Sequence, residues 1–134
     1  MNSCHKFQGM NSVNYFEIQS SEPDREIQFY ENLFGWKFVR QKDAPIEYYH
    51  IETEGIGGGL LKRPTSVPSP GSGTNAFVCT IEVSDFDAMA KKILSIGGQI
   101  AMPKFAIRGK CWQGYFMDAD QNTFGLFQVD LNAQ

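Results

Sequence analysis

Cysteine and histidine are scarce in this chain, and long apolar runs are missing. The three cysteines, Cys4, Cys79 and Cys111, stand far apart with no CxxC pair. That excludes a zinc ribbon or dithiol motif and suits free thiols in a reducing compartment. The two histidines, His5 and His50, are isolated from each other in sequence. The longest nearly apolar stretch, Phe77 to Ile81, falls far short of the roughly 20 residues that span a bilayer, and the polar N-terminus lacks the apolar core of a signal peptide. No membrane partner and a cytoplasmic location are therefore expected. Basic charge is also in short supply: 12 Lys and Arg against 15 Asp and Glu give a net charge of −3. The basic residues are scattered rather than striped along one element, so nucleic acid is not an expected partner.

What is present is an ordinary globular composition, 42% hydrophobic and 20% charged in 134 residues. A chain of that length forms about one domain and buries roughly two thirds of its unfolded surface without staples. Val13 to Gln19 alternates Phe16 and Ile18 with Tyr15 and Glu17, a strand with two different faces. Ser20 and Ser21, then Glu22, Pro23 and Asp24, predict a capped helix start. Ile27, Tyr30, Leu33 and Phe34 follow at helical spacing, and Gly35 stops the helix. Strands are predicted at Trp36 to Gln41, Glu47 to Thr53 and Gly59 to Lys62, the last after a Gly-rich turn.

The same order then returns. Phe77 to Val83 predicts a strand, Ser84, Asp85 and Asp87 cap a helix carrying Met89, Ile93 and Ile96, and Gly97 and Gly98 end it. Gln99 to Met102, Trp112 to Met117 and Thr123 to Val129 complete a second βαβββ set. Simple addition exposes the duplication. Adding 63 carries Ile18 to Ile81, Ser21 to Ser84, Leu33 to Ile96 and Gly35 to Gly98. Adding 66 carries Tyr49 to Tyr115, Glu52 to Asp118, Gly59 to Gly125 and Leu60 to Leu126. The expected organisation is one domain over residues 1–134: a loose arm at 1–11, a first module at 12–62, a Pro/Ser/Gly-rich linker at 63–75 and a second module at 76–130.

The run YFEIQSSEPDREIQFYENLFGWKF, the following GGGLLKRP and the later DADQNTFGLFQ resemble the glyoxalase/bleomycin resistance protein/dioxygenase group, the vicinal oxygen chelate superfamily. The resemblance covers about residues 13 to 129. It implies an α+β fold in which two βαβββ modules form curved mixed sheets around a cavity. It also implies metal-dependent lyases, isomerases, epimerases and dioxygenases among the relatives, together with metal-free proteins that sequester antibiotics. Fold membership alone therefore leaves the function open. The family's metal ligands, matched onto this chain, fall at Tyr15, Gly59, Val78 and Gly125. Gly and Val offer no side-chain donor and a neutral Tyr is a poor one, so no metal and no cofactor are expected. His50 has the opposite strand parity to Tyr49 and is expected at a surface or interface rather than in a ligand set.

Strand parity predicts the lining of the cavity. Phe16, Ile18, Cys79, Ile81 and Val83 should pack under the helices, which turns Tyr15, Glu17, Val78, Thr80 and Glu82 the other way. Pairing across the last hairpin adds Gln113, Tyr115, Gly125 and Phe127, and the repeat adds Glu47, Tyr49, Gly59 and Leu61. This aromatic wall with a few polar groups suits a small-molecule ligand. Each residue keeps a plainer alternative. The tyrosines could simply fill a core, and the glycines could mark bends rather than room for a ligand. Glu17 could pair with Arg25 or Arg108, or act on a ligand as a proton acceptor. Cys79 is expected in the core and Cys111 at the surface. Two functions stay open: a metal-independent protein that binds or sequesters a small aromatic or amphipathic metabolite, and a lyase or isomerase using Glu17. A homodimer is expected because modules of this family expose sheet edges.

Overall fold

The computed structural model describes residues 11, 13–69 and 77–134. All but Asn11 of the expected N-terminal arm, with Cys4 and His5, lies outside the described residues, as do residues 70–75 of the expected linker. The chain divides into two compact units, Met1–Val67 and Pro68–Gln134. The elements run β1 (Tyr15–Ser20), α1 (Pro23–Phe34), β2 (Lys37–Arg40), β3 (Tyr48–Glu52) and β4 (Gly57–Lys62) in the first unit. The second holds β5 (Thr80–Glu82), α2 (Phe86–Ser95), β6 (Gln99–Ile107), β7 (Cys111–Met117) and β8 (Thr123–Val129). Each unit is thus a βαβββ module, and the fold is α+β. No helix among the described residues is long and apolar enough to cross a membrane.

Each sheet has four strands, ordered β1-β4-β3-β2 and β5-β8-β7-β6. The first and last strands of a module run parallel and the hairpins antiparallel. This mixed topology follows from the helix after the first strand, because a parallel return needs a crossover while the short later loops permit only hairpins.

Local chemistry sets the helix ends. The start of α1 is Glu22, which makes no side-chain cap. The hydroxyl expected to cap it, Ser20 Oγ, instead accepts from the Glu22 N–H at 3.1 Å, one step ahead of the helix. Pro23 opens the first turn, and Gly35, at φ 70°, closes the helix with its N–H on the Glu31 carbonyl. In α2 the Asp85 carboxylate accepts from the Ala88 N–H at 3.1 Å, a true N-cap.

One face of each sheet is covered by its helix. Leu60 and Ile51 are fully buried in the first unit, together with Phe29, Tyr30 and Leu33 of α1. Tyr30 stacks on Trp36 at 5.2 Å, and Trp36 meets Phe16 at 5.6 Å. In the second unit Leu126 and Ile93 are fully buried, with Phe86, Phe116 and Phe124 around them. A side chain of this size contributes about 1.5–3 kcal/mol on full burial, so these faces dominate the stability of each module.

Three expectations are corrected. Cys79 is exposed because β5 begins only at Thr80, and the expected strand over Phe77 to Val83 shortens to three residues. Cys111 is buried, since β7 starts one residue earlier than predicted and carries its thiol into the sheet. The strand predicted at Gln99 to Met102 continues through Pro103 to Ile107, with register shifts between Ile100 and Met102 and between Met102 and Phe105. Proline is tolerated there because β6 is an edge strand and the irregular register spares a ladder bond.

Candidate functional site

The face of each sheet opposite its helix carries the chemistry. In the first unit the register places Tyr15 beside Gly57, Glu17 beside Gly59 and Gln19 beside Leu61. Across β4, His50 lies beside Gly59 and Tyr48 beside Leu61. Alternation puts Tyr15, Glu17, Gly59 and Leu61 on this open face, as predicted from parity, with Tyr48 and His50 joining them. Tyr49 is not there. It pairs with Leu60, on the side of buried Ile51, so the expected lining role of Tyr49 is corrected. Glu47 follows Tyr49: its Oε2 accepts from the Tyr49 hydroxyl at 2.8 Å, and Arg40 lies over the Tyr49 ring at 5.4 Å.

The physical reason is a one-residue difference between the hairpins. Residues 53–56 join β3 to β4, whereas 118–122 join β7 to β8. An offset of 66 holds on the far side of the loop, where Gly59 matches Gly125, but becomes 65 on the near side, where His50 matches Tyr115. A slip of one residue turns every side chain of a strand to the other face. The strand bounds expected from the sequence leave 54–58 and 118–122 as the two loops, equal in length, so only the observed bounds reveal the slip that brings in Tyr48 and His50.

On this face the polar groups form a chain. The Tyr48 hydroxyl donates to Glu17 Oε2 at 2.7 Å and lies 2.8 Å from the Tyr15 hydroxyl. A phenol has one proton, so Tyr15 must donate to Tyr48 and the order runs Tyr15 to Tyr48 to Glu17. His50 stacks on Tyr15, with ring centroids 6.3 Å apart and planes 21° from parallel. Burial, followed by the hydrogen bonds with Tyr15 and Glu17, holds the Tyr48 phenol well above its ordinary range. Gly59 makes the arrangement possible. A Cβ at that position would overlap the Tyr48 hydroxyl and ring and sit 2.9 Å from the Tyr15 hydroxyl. Of the cation partners considered for Glu17, Arg25 pairs with Glu22 at 3.0 Å.

The second unit repeats the geometry with other groups. Thr80, Gly125 and Tyr115 form one row, and Glu82, Phe127 and Gln113 the next. Gln113 Nε2 donates to the Tyr115 hydroxyl at 2.9 Å, and Phe105 stacks on Tyr115 at 6.4 Å. A Cβ on Gly125 would lie 2.6 Å from Thr80 Oγ1. Val78 precedes β5, half-buried and outside the strand.

Each unit is thus a mixed βαβββ sheet with its helix on one face and polar and aromatic side chains on the other. The chain belongs to the Glyoxalase/Bleomycin resistance protein/Dioxygenase superfamily, whose model matches residues 12–126. It is 26% identical over 123 residues to "Putative glyoxylase CFP32" of Mycobacterium tuberculosis (strain CDC 1551 / Oshkosh), covering 87% of this chain and 45% of that protein. It is 30% identical over 112 residues to "Putative lactoylglutathione lyase" of Brassica oleracea var. gemmifera, covering 78% of this chain and 40% of that one. The chain therefore spans less than half the length of these curated relatives. Its fold is similar to the genomically encoded fosfomycin resistance protein FosX of Listeria monocytogenes, with a TM-score of 0.73, 12% identity, and coverage of 92% of this chain and 94% of that one.

The residues at the positions the family uses for metal do not fit a divalent ion. The space a glutamate would need at Gly59 is occupied by Tyr48, and that at Gly125 is crowded by Thr80. Among the described residues no group of three or more His, Cys, Asp or Glu is arranged to hold a metal ion.

Proposed function

We propose that this superfamily member binds or sequesters a small aromatic or amphipathic metabolite on its open sheet faces, without a metal, as a cytoplasmic homodimer. The observation that carries the reading is the Tyr15–Tyr48–Glu17 chain packed over Gly59, a hydroxyl-carboxylate network where a metal-ligating glutamate would otherwise project. Preset hydrogen-bonding groups among aromatic rings orient a ligand without a cation to polarise it. Each sheet ends in edge strands, β1 and β2 or β5 and β6, and such edges favour pairing with a second copy.

The rival reading is a lyase or isomerase with Glu17 as proton acceptor. The names of the two curated relatives favour it, and so does Glu17 Oε1, which accepts no hydrogen bond among the described residues. One set of measurements separates the two. Elemental analysis of protein gel-filtered without chelator should give far less than one transition metal per chain. Binding of the aromatic amphiphile 1-anilinonaphthalene-8-sulfonate should survive excess EDTA, and the hemithioacetal of methylglyoxal and glutathione should not turn over with added zinc, nickel or cobalt. A near-equimolar metal, or turnover abolished by Glu17→Gln, would overturn the binding reading in favour of the enzyme.

A further inference from the structure

Resting on the reading that the open face of the first unit takes a small molecule, we infer that this face selects an organic cation, a primary ammonium or guanidinium carried on an aromatic body. The direction of the hydrogen-bond chain makes the case. The Tyr48 proton is committed to Glu17 Oε2 at 2.7 Å, and the Tyr15 proton to Tyr48 at 2.8 Å. Both phenol protons point inward along the chain. What this chain of three leaves outward is a lone pair on Tyr15 and the Oε1 of Glu17, both acceptors, beside the imidazole of His50.

Charge agrees with hydrogen bonding. Glu17 makes no ion pair among the described residues. The other charged strand residues on this face, Lys37 and Glu52, stand directly opposite each other in the β2–β3 register and offset one another. The nearby basic side chains are engaged elsewhere: Lys62 Nζ donates to the Ser21 carbonyl at 2.7 Å, and Arg63 donates to the Gln19 carbonyl at 3.3 Å. A carboxylate without an ion-pair partner among the described residues therefore lies beside the rings of Tyr15 and Tyr48, whose π faces attract cations. A carboxylate ligand would meet these lone pairs and the Glu17 charge, with no donor left among Tyr15, Tyr48 and Glu17 themselves.

The second unit shows that the fold does not impose this polarity. The Cys111 thiol donates weakly to Gln113 Oε1 at 3.9 Å, and Gln113 Nε2 donates to Tyr115 at 2.9 Å. Tyr115 thus keeps its own proton for outward donation, and the corresponding face of the second sheet presents a donor.

The test uses three probes with one aromatic body: 1-naphthylmethylammonium, 1-naphthylmethanol and 1-naphthylacetate. Affinities are measured by calorimetry on the full chain at pH 7.5 in EDTA, with tyrosine NMR resonances locating the site. The ammonium should bind at least about tenfold more tightly than the acetate. Glu17→Gln, at an exposed position that keeps the shape, should bring the three affinities together, and Tyr15→Phe should weaken the ammonium most, the alcohol less and the acetate not at all. Equal or tighter binding of the acetate, or a preference unchanged by Glu17→Gln, overturns the cation inference and leaves the binding reading standing. Failure of all three probes at millimolar concentration overturns both.

Discussion

Replacing Gly59 with alanine should disable the open face of the first unit by adding one methyl group. The new Cβ would overlap the Tyr48 hydroxyl and ring, so the ring must swing away. That movement breaks the 2.7 Å bond to Glu17 and the 2.8 Å bond from Tyr15. Overpacking of this kind costs about 1–3 kcal/mol, and two exposed hydrogen bonds, where water can take over, add about 0.5 kcal/mol each. Replacing a strand glycine recovers about 0.5–1 kcal/mol of backbone entropy. The net expectation is a loss of about 2 kcal/mol, or roughly 6–10 °C in Tm for a chain of this length. Gly55→Ala is the control, since its Cβ meets only Thr53 Oγ1 at 3.8 Å, and it should change stability by less than about 0.5 kcal/mol. Urea unfolding gives the difference, and a Tyr48→Ala background tests the cause, because with the ring gone Gly59→Ala should be nearly neutral. Should Gly59→Ala prove as harmless as Gly55→Ala, the Tyr48 hydroxyl does not sit over Gly59 and the proposed network fails.

Two further outcomes are expected. Tyr48 stays protonated in the folded chain above its ordinary value of 10.0, because of burial and then its bonds with Tyr15 and Glu17, while the unfolded chain loses that proton. Its contribution is therefore fully present below about pH 10 and lost as pH rises further, with a slope of at most about 1.4 kcal/mol per pH unit. Tyr49, raised by burial and by Glu47, adds to the same alkaline limb. Tyr48→Phe should flatten that limb in urea titrations between pH 9 and 11, and an unchanged slope would refute the assignment. Asp118→Ala should destabilise by about 2–3 kcal/mol, because the buried carboxylate accepts from the Asp120 N–H at 2.8 Å, the Asn122 N–H at 2.9 Å and Asn122 Nδ2 at 3.1 Å. A melt within 2 °C of the parent chain would contradict it.

By itself, the sequence determined whatever depends on local periodicity and on the repeat. Alternation in β1, the helix stop at Gly35, the Asp85 cap and the offset of 63 between the modules are all properties of neighbours along the chain. They were enough to specify two βαβββ modules and to turn Tyr15, Glu17 and Gly59 to one face. Tertiary structure decided the register between strands. The shorter loop at residues 53–56 shifts β3 by one residue against the repeat, which sends Tyr49 to the helix side and brings Tyr48 and His50 to the open face. Register is a two-strand property with a period of two, so a one-residue difference invisible to either strand alone inverts its faces. The same logic explains the cysteines, because Cys79 and Cys111 sit at strand starts, where one residue more or less of pairing decides between solvent and sheet. The hydrogen-bond chain lay furthest from the sequence. Its direction depends on one proton per phenol and on a glycine on the neighbouring strand leaving room for the Tyr48 ring, a contact between residues that only pairing across the sheet brings together.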